Sequence, residues 1–197
     1  NSAGRARAAN TLVFEGPGDW YADSTDGAGL VNDIESGASV KTEGARICLL
    51  GAGGAAASVL AALLAGNPGA VVIANRSQER ARQLATSHSD LGQVTTCVPG
   101  DLENEAPFDL VINATSLGHS GMAPDLSPDV LNAGGLCYDM NYGKAAVPLG
   151  DLCRDKGIPY SDGLGMLVNQ AALSFELWTG SRPDASAVLS QLRRAPG

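Results

Sequence analysis

Gly51-Ala52-Gly53-Gly54-Ala55-Ala56 follows directly on an apolar run. Glycines at that spacing let backbone N–H groups close on a pyrophosphate: Gly51 permits a tight turn, Gly53 admits the phosphate, and small Ala56 lets a helix pack on the preceding strand. Asn75-Arg76-Ser77 ends the next apolar run. A dinucleotide fold commonly sets an acidic side chain there to hold the ribose hydroxyls, whereas this chain presents a guanidinium. Asn75 and Ser77 add neutral donors, Arg80 follows one turn later, and no carboxylate occupies the strand tip. A fixed cation at that point selects a 2′-phosphate, so the cofactor expected is NADP.

Two further segments belong to the same chemistry. Asn113-Ala114-Thr115-Ser116-Leu117-Gly118 ends another apolar run, where open α/β sheets hold ligands. Thr115 and Ser116 suit contact with a dinucleotide there as well as they suit a plain turn. Asp162-Gly163-Leu164-Gly165-Met166 is the second glycine-rich turn. On residue type alone, Asp26 is a helix cap, Gln170 a polar-face residue, and His119 a solvated loop histidine.

The elements that must position these residues alternate between strand and helix, which specifies an α/β fold, a doubly wound parallel sheet. Strands are predicted at Ile47–Leu50, Ala70–Ala74, Val94–Val98, Phe108–Asn113, Gly135–Met140 and Ile158–Tyr160. Helices are predicted at Ala55–Ala65, from Ser77 to about Ser87, at Val147–Lys156 and at Leu167–Trp178. Ahead of the sheet, Thr11–Phe14 and Trp20–Ala22 form a hairpin around Glu15-Gly16-Pro17-Gly18, and a helix runs from Asp26 to about Ile34. Pro183 opens a last amphipathic helix expected to fold back toward the N-terminal piece. The domain division expected is residues 1–40 as the remnant of a substrate-binding domain, 41–180 as the nucleotide-binding domain, and 181–197 as the returning helix.

A formal net charge of −8 argues against nucleic acid or an anionic membrane surface as partner. No run approaches the roughly 20 apolar residues of a membrane span, and a soluble, cytoplasmic protein is expected. Cys48, Cys97, Cys137 and Cys153 are widely spaced with no CxxC pair, as in a reduced core; no metal site is expected.

Taken together, the segments resemble the shikimate dehydrogenase family (shikimate/quinate dehydrogenases). The resemblance rests on Asn10-Thr11-Leu12-Val13, Thr25-Asp26-Gly27, the Gly51 turn, Asn75-Arg76-Ser77, Ile112 to Ser116, Tyr138-Asp139-Met140, and Asp162 to Leu167 followed by Gln170-Ala171-Ala172. It implies NADP-linked, reversible reduction of 3-dehydroshikimate to shikimate. The family's catalytic Asp, partner of a catalytic Lys, falls on Asp26. Asn10 and Gln170 match positions that bind the substrate hydroxyls, and Tyr142 a tyrosine near the substrate. Met140, Gly163 and Met166 fall on the cofactor side, the last two beside the nicotinamide. Ser24 departs from the family's usual Asn. The lysines are Lys41, Lys144 and Lys156, none of which precedes Asp26 as the family pattern requires. The family's serines, threonine and catalytic Lys would lie upstream of Asn1, and lacking that Lys the chain is expected to bind cofactor but to turn over on the order of 10²- to 10⁴-fold more slowly. A quinate dehydrogenase of the same family, and a non-catalytic nucleotide-sensing module, are the alternative readings; the oligomeric state is not readable.

Overall fold

Ile47, Cys48 and Leu49 are wholly buried and Leu50 is nearly so, as a strand covered on both faces requires. In the computed structural model, which describes residues 3–4, 8–38, 40–105 and 107–194, they belong to the third strand of the chain. The order is β1 (Thr11–Gly16), β2 (Asp19–Asp23), α1 (Asp26–Asn32), β3 (Arg46–Leu50), α2 (Gly54–Ala65), β4 (Ala70–Ala74), α3 (Gln78–Thr86), β5 (Val94–Cys97), α4 (Leu102–Glu105), β6 (Phe108–Asn113), β7 (Leu131–Asp139), α5 (Val147–Lys156), β8 (Tyr160–Ser161), α6 (Leu164–Thr179) and α7 (Ala185–Arg194).

The main sheet has six parallel strands in the order β5-β4-β3-β6-β7-β8. The strand order reverses between β3 and β6, and the crevice beyond their carboxyl ends is where such sheets bind nucleotides. Alternate strand residues feed opposite cores. Ile47, Leu49, Ile73, Leu110, Ile112 and Tyr138 join Leu30, Ile34, Leu60 and Leu63 on one face. Cys48, Val72, Val111 and Cys137 join Leu102, Leu126, Leu149 and Cys153 on the other. All four cysteines are buried and free.

β1 and β2 form a separate antiparallel ribbon closed at Gly18, whose φ of +82° suits glycine. The ribbon is anchored on α6: Trp178 Nε1 donates to the Leu12 carbonyl at 2.9 Å, and the hydroxyls of Thr11 and Ser174 meet at 2.6 Å. α1 packs between α2 and α6. Gly27 and Gly29 make that approach possible, since a Cβ on Gly27 would stand 2.7 Å from Ala62 Cβ and one on Gly29 2.8 Å from the Gln170 backbone nitrogen. α7 lies against α6, and Arg193 reaches Asp162 at 3.0 Å.

Several boundaries differ from the sequence-based expectation, among them these three. β7 begins at Leu131 rather than Gly135 and carries an irregularity opposite Phe108–Leu110. α6 begins at Leu164 rather than Leu167. The last strand is Tyr160–Ser161, because Ile158 N–H bonds back to the Cys153 carbonyl at 2.8 Å and so still belongs to the exit of α5.

Candidate cofactor and substrate site

A cavity of about 750 Å³ opens at the carboxyl edge of β3, β4 and β6. Gly51 through Ala55, Asn75, Arg76, Thr115 and Ser116 all line it, so the glycine turn, the arginine and the Thr-Ser turn share one space. Gly51 has a φ of +105°, and a Cβ there would press on the Ala114 carbonyl at 3.1 Å and on Thr115 at 3.4 Å. Gly53 and Gly54 face open space. Gly53 is also the N-cap of α2 and provides no side-chain acceptor, which leaves the first-turn N–H groups of the helix for an external anion. α3 is different: Ser77 Oγ accepts the Arg80 N–H and closes that helix itself. Arg76 is exposed and, among the described residues, makes no ion pair. A bare helix N-terminus, flat glycine backbone and an unpaired guanidinium fit a phosphorylated dinucleotide. Ser77, Arg80, Met140, Gly163 and Met166 do not line this cavity.

Asn113, at the tip of β6, holds the Thr115 turn in place. Its Oδ1 accepts from the Thr115 N–H at 3.1 Å and from the Thr115 hydroxyl at 2.7 Å, while its Nδ2 donates to Asp139 Oδ1 at 2.9 Å. Asp139 is fully buried, and burial raises its carboxyl above the ordinary range despite donors from Asn141, Asn113 and Tyr160.

A second polar cluster forms where the ribbon, α1 and α6 meet. Asn10 Nδ2 donates to Asp26 Oδ1 at 2.7 Å, to Gln170 Oε1 at 3.0 Å and to Thr25 Oγ1 at 3.0 Å. Asn10 Oδ1 accepts the Thr25 N–H at 3.0 Å. The residues that composition leaves as a cap and a polar-face glutamine are thus brought together with Asn10. Tyr142 lies apart, exposed in the loop after β7. No lysine hydrogen-bonds Asp26 among the described residues; Lys156 instead donates to the Leu126 carbonyl.

On the other half of the sheet, Met140 leaves β7 and Gly163 stands against its carbonyl, where a Cβ would overlap the oxygen. Residues to which the motifs assign no role support these turns. Thr25 ties Asn10 to the Gln170 carbonyl at 3.0 Å, and Asp33 accepts from Tyr138 Oη at 2.7 Å. A hydroxyl at a helix entry and a lone acidic residue just past the helix end give no periodic signal; the pairing of Asp33 with Tyr138, 105 residues apart in sequence, exists only in three dimensions.

A parallel sheet reversing at β3/β6, with a glycine turn at its central strand and an arginine at the next, defines a doubly wound dinucleotide-binding protein of the dehydrogenase type. The family model for shikimate / quinate 5-dehydrogenase matches residues 34–122, and that for the shikimate 5′-dehydrogenase C-terminal domain matches residues 163–193. The chain belongs to the shikimate/quinate dehydrogenase family. It is 47% identical over 192 residues to the shikimate dehydrogenase (NADP(+)) of Dechloromonas aromatica (strain RCB), covering 97% of this chain and 69% of that protein. The solved Ael1 enzyme from Pseudomonas putida is similar with a TM-score of 0.87 at 39% identity, over 98% of this chain and 70% of that one. Shikimate 5-dehydrogenase from Thermus thermophilus, solved in complex with NADP(H) and shikimate, superposes with a TM-score of 0.76 at 28% identity, over 99% of this chain and 71% of that one. Among the described residues no helix is long and apolar enough to cross a membrane, and no group of three or more metal-ligating side chains occurs.

Proposed function

We propose that this chain is the NADP-binding part, with one wall of the substrate site, of a cytoplasmic shikimate dehydrogenase that interconverts 3-dehydroshikimate and shikimate. The observation that carries the reading is that Gly51–Ala55, Asn75 and Arg76 line one cavity in which the exposed guanidinium makes no ion pair among the described residues. The family's curated relatives named for NADP(+) point the same way.

In this reading the N–H groups of Gly53, Gly54 and Ala55 hold the pyrophosphate, aided by the dipole of α2. Arg76 takes the 2′-phosphate, with Asn75, Ser77 and Arg80 around it. Thr115 and Ser116 border the middle of the dinucleotide. With the adenosine over β4, the nicotinamide falls across the crevice over β7 and β8, toward Met140, Gly163 and Met166. When bound, that ring supplies the hydride. Asn10 and Gln170 orient substrate hydroxyls, and Tyr142 borders the substrate from the loop after β7. Asp26, with Oδ1 held by Asn10 and Oδ2 free of hydrogen bonds among the described residues, handles the proton at the substrate oxygen together with the family's lysine, a role that none of Lys41, Lys144 and Lys156 fills. Residues 1–40 then belong to the substrate side, 41–180 to the nucleotide domain and 181–197 to the closing helix.

The test is NADP⁺ reduction with shikimate and with quinate, by this chain and by a form extended upstream, alongside titration with NADPH and NADH. NADPH binding by both forms and shikimate-dependent turnover, faster in the extended form, is the expected result. Preference for quinate would favour the family's other activity. Tight NADPH binding without turnover in either form would favour a sensing module.

A further inference from the structure

Asp33 ends α1 inside the protein, 4% exposed, and its Oδ2 accepts from Tyr138 Oη at 2.7 Å; Tyr138 is fully buried on β7. Tyr138 shares its buried core with Met166. Met166 is the third residue of α6, and Gly163, the N-cap of that helix, has no side chain with which to satisfy its first turn. The other Asp33 oxygen lies against Gly165, where a Cβ would overlap the carboxylate. Burial raises the Asp33 carboxyl, opposed by the Tyr138 bond and by Arg193, and reinforced by Asp162. Asp162 itself accepts the Leu164 N–H at 3.3 Å and Arg193 at 3.0 Å, so the same first turn is held from its outer side as well.

From these contacts we infer that Asp33 and Tyr138 are positioning residues for the nicotinamide half of the cofactor: the Tyr138 phenol holds the Asp33 carboxylate against Gly165, which fixes the turn that carries Gly163 and Met166 and ties it to the end of the helix that carries Asp26. This rests on the cofactor assignment above. Tyr138 is two residues from Met140, and Gly163 abuts the Met140 carbonyl, so the three proposed nicotinamide contacts gather around the Asp33–Tyr138 pair. The adenosine end, around Arg76 just beyond β4, makes no hydrogen bond or ion pair to Asp33 or Tyr138 among the described residues.

That asymmetry provides the test. Dissociation constants are measured for NADPH and for adenosine 2′,5′-bisphosphate, which carries the phosphorylated adenosine end but no nicotinamide, with a thermal melt of each variant. Tyr138→Phe is expected to weaken NADPH about fivefold to tenfold, the worth of one buried hydrogen bond, and to leave the bisphosphate within about twofold. Asp33→Asn, which keeps an acceptor oxygen for the phenol, should show the same selective loss at smaller size, and it carries the test if Tyr138→Phe does not fold. Equal weakening of both ligands, or of neither, would overturn the inference while leaving the cofactor assignment standing. Failure of the unaltered chain to bind either ligand would overturn both.

Discussion

The Asn10 amide donates to the Asp26 carboxylate across 2.7 Å, joining residues 16 apart in sequence, and its Nδ2 also reaches Gln170 on α6 at 3.0 Å. One carboxylate oxygen is therefore engaged by Asn10, and the other makes no hydrogen bond among the described residues. Asn10→Ala is expected to raise the KM for shikimate about tenfold with a smaller effect on kcat, whereas Asp26→Asn should lower kcat by about 10²- to 10⁴-fold with KM little changed. Initial-rate kinetics with a form extended upstream separate the two.

Arg76 is the only cationic side chain lining the cavity among the described residues. Arg76→Ala should weaken NADPH by about tenfold to a hundredfold, as expected for losing hydrogen bonds to a charged group, and change NADH by less than about twofold. Calorimetric titration of both nucleotides reads this, and an unchanged preference would remove Arg76 from the site.

A Cβ at Gly53 would meet nothing within 4 Å, and the φ of −96° there is one that alanine tolerates. Gly53→Ala should leave the urea midpoint unaltered yet weaken NADPH, because the added methyl enters the space reserved for phosphate. A loss of stability equal to the loss of binding would contradict this.

Gly29→Ala tests the closeness of α1 and α6. The methyl would sit 2.8 Å from the Gln170 nitrogen and 3.0 Å from its Cα, atoms that cannot rotate away. A helix-propensity gain of about 1 kcal/mol is outweighed by overpacking of roughly 1–3 kcal/mol, so net destabilisation in urea is expected, with a higher KM for shikimate as Gln170 shifts.

Asp139 gives a pH signature. Burial holds its carboxyl above the ordinary value of 3.8, so the folded protein binds this proton more tightly than the unfolded chain does. The associated stability is complete below the ordinary value and is lost as pH rises through the raised one. Asp139→Asn lacks this dependence. Unfolding free energies of the two proteins, measured from acid to neutral pH, should therefore diverge in favour of the variant as pH rises; a constant gap would refute the assignment.

The sheet and its glycine turn were legible because Ile47–Leu50 and Leu110–Ile112 are continuous apolar runs followed by turn residues. The start of β7 was not: Asn132-Ala133-Gly134-Gly135 looks like a loop, and only the pairing with β6 shows that it extends the strand through an irregularity. The first turn of α6 was hidden for a related reason. Gly163 and Gly165 break local helical preference, and the turn is met by Asp162 and by Asp33, the latter held by Tyr138; Asp33 and Tyr138 are remote in sequence. The motifs marked the residues that line the cavity, since those types suit phosphate. They assigned no role to Thr25, Asp33 or Tyr138, which act by contact with other groups of the protein.

Asn113 accepts twice from Thr115 and donates once to Asp139, so its amide has a single tolerated orientation. Conversion of that amide to an acid, the ordinary course of chemical ageing at asparagine, would set two carboxylates face to face at the tip of β6. With Asn113 only 1% exposed, the fold withholds its most vulnerable hinge of polar contacts from the water that would spoil it.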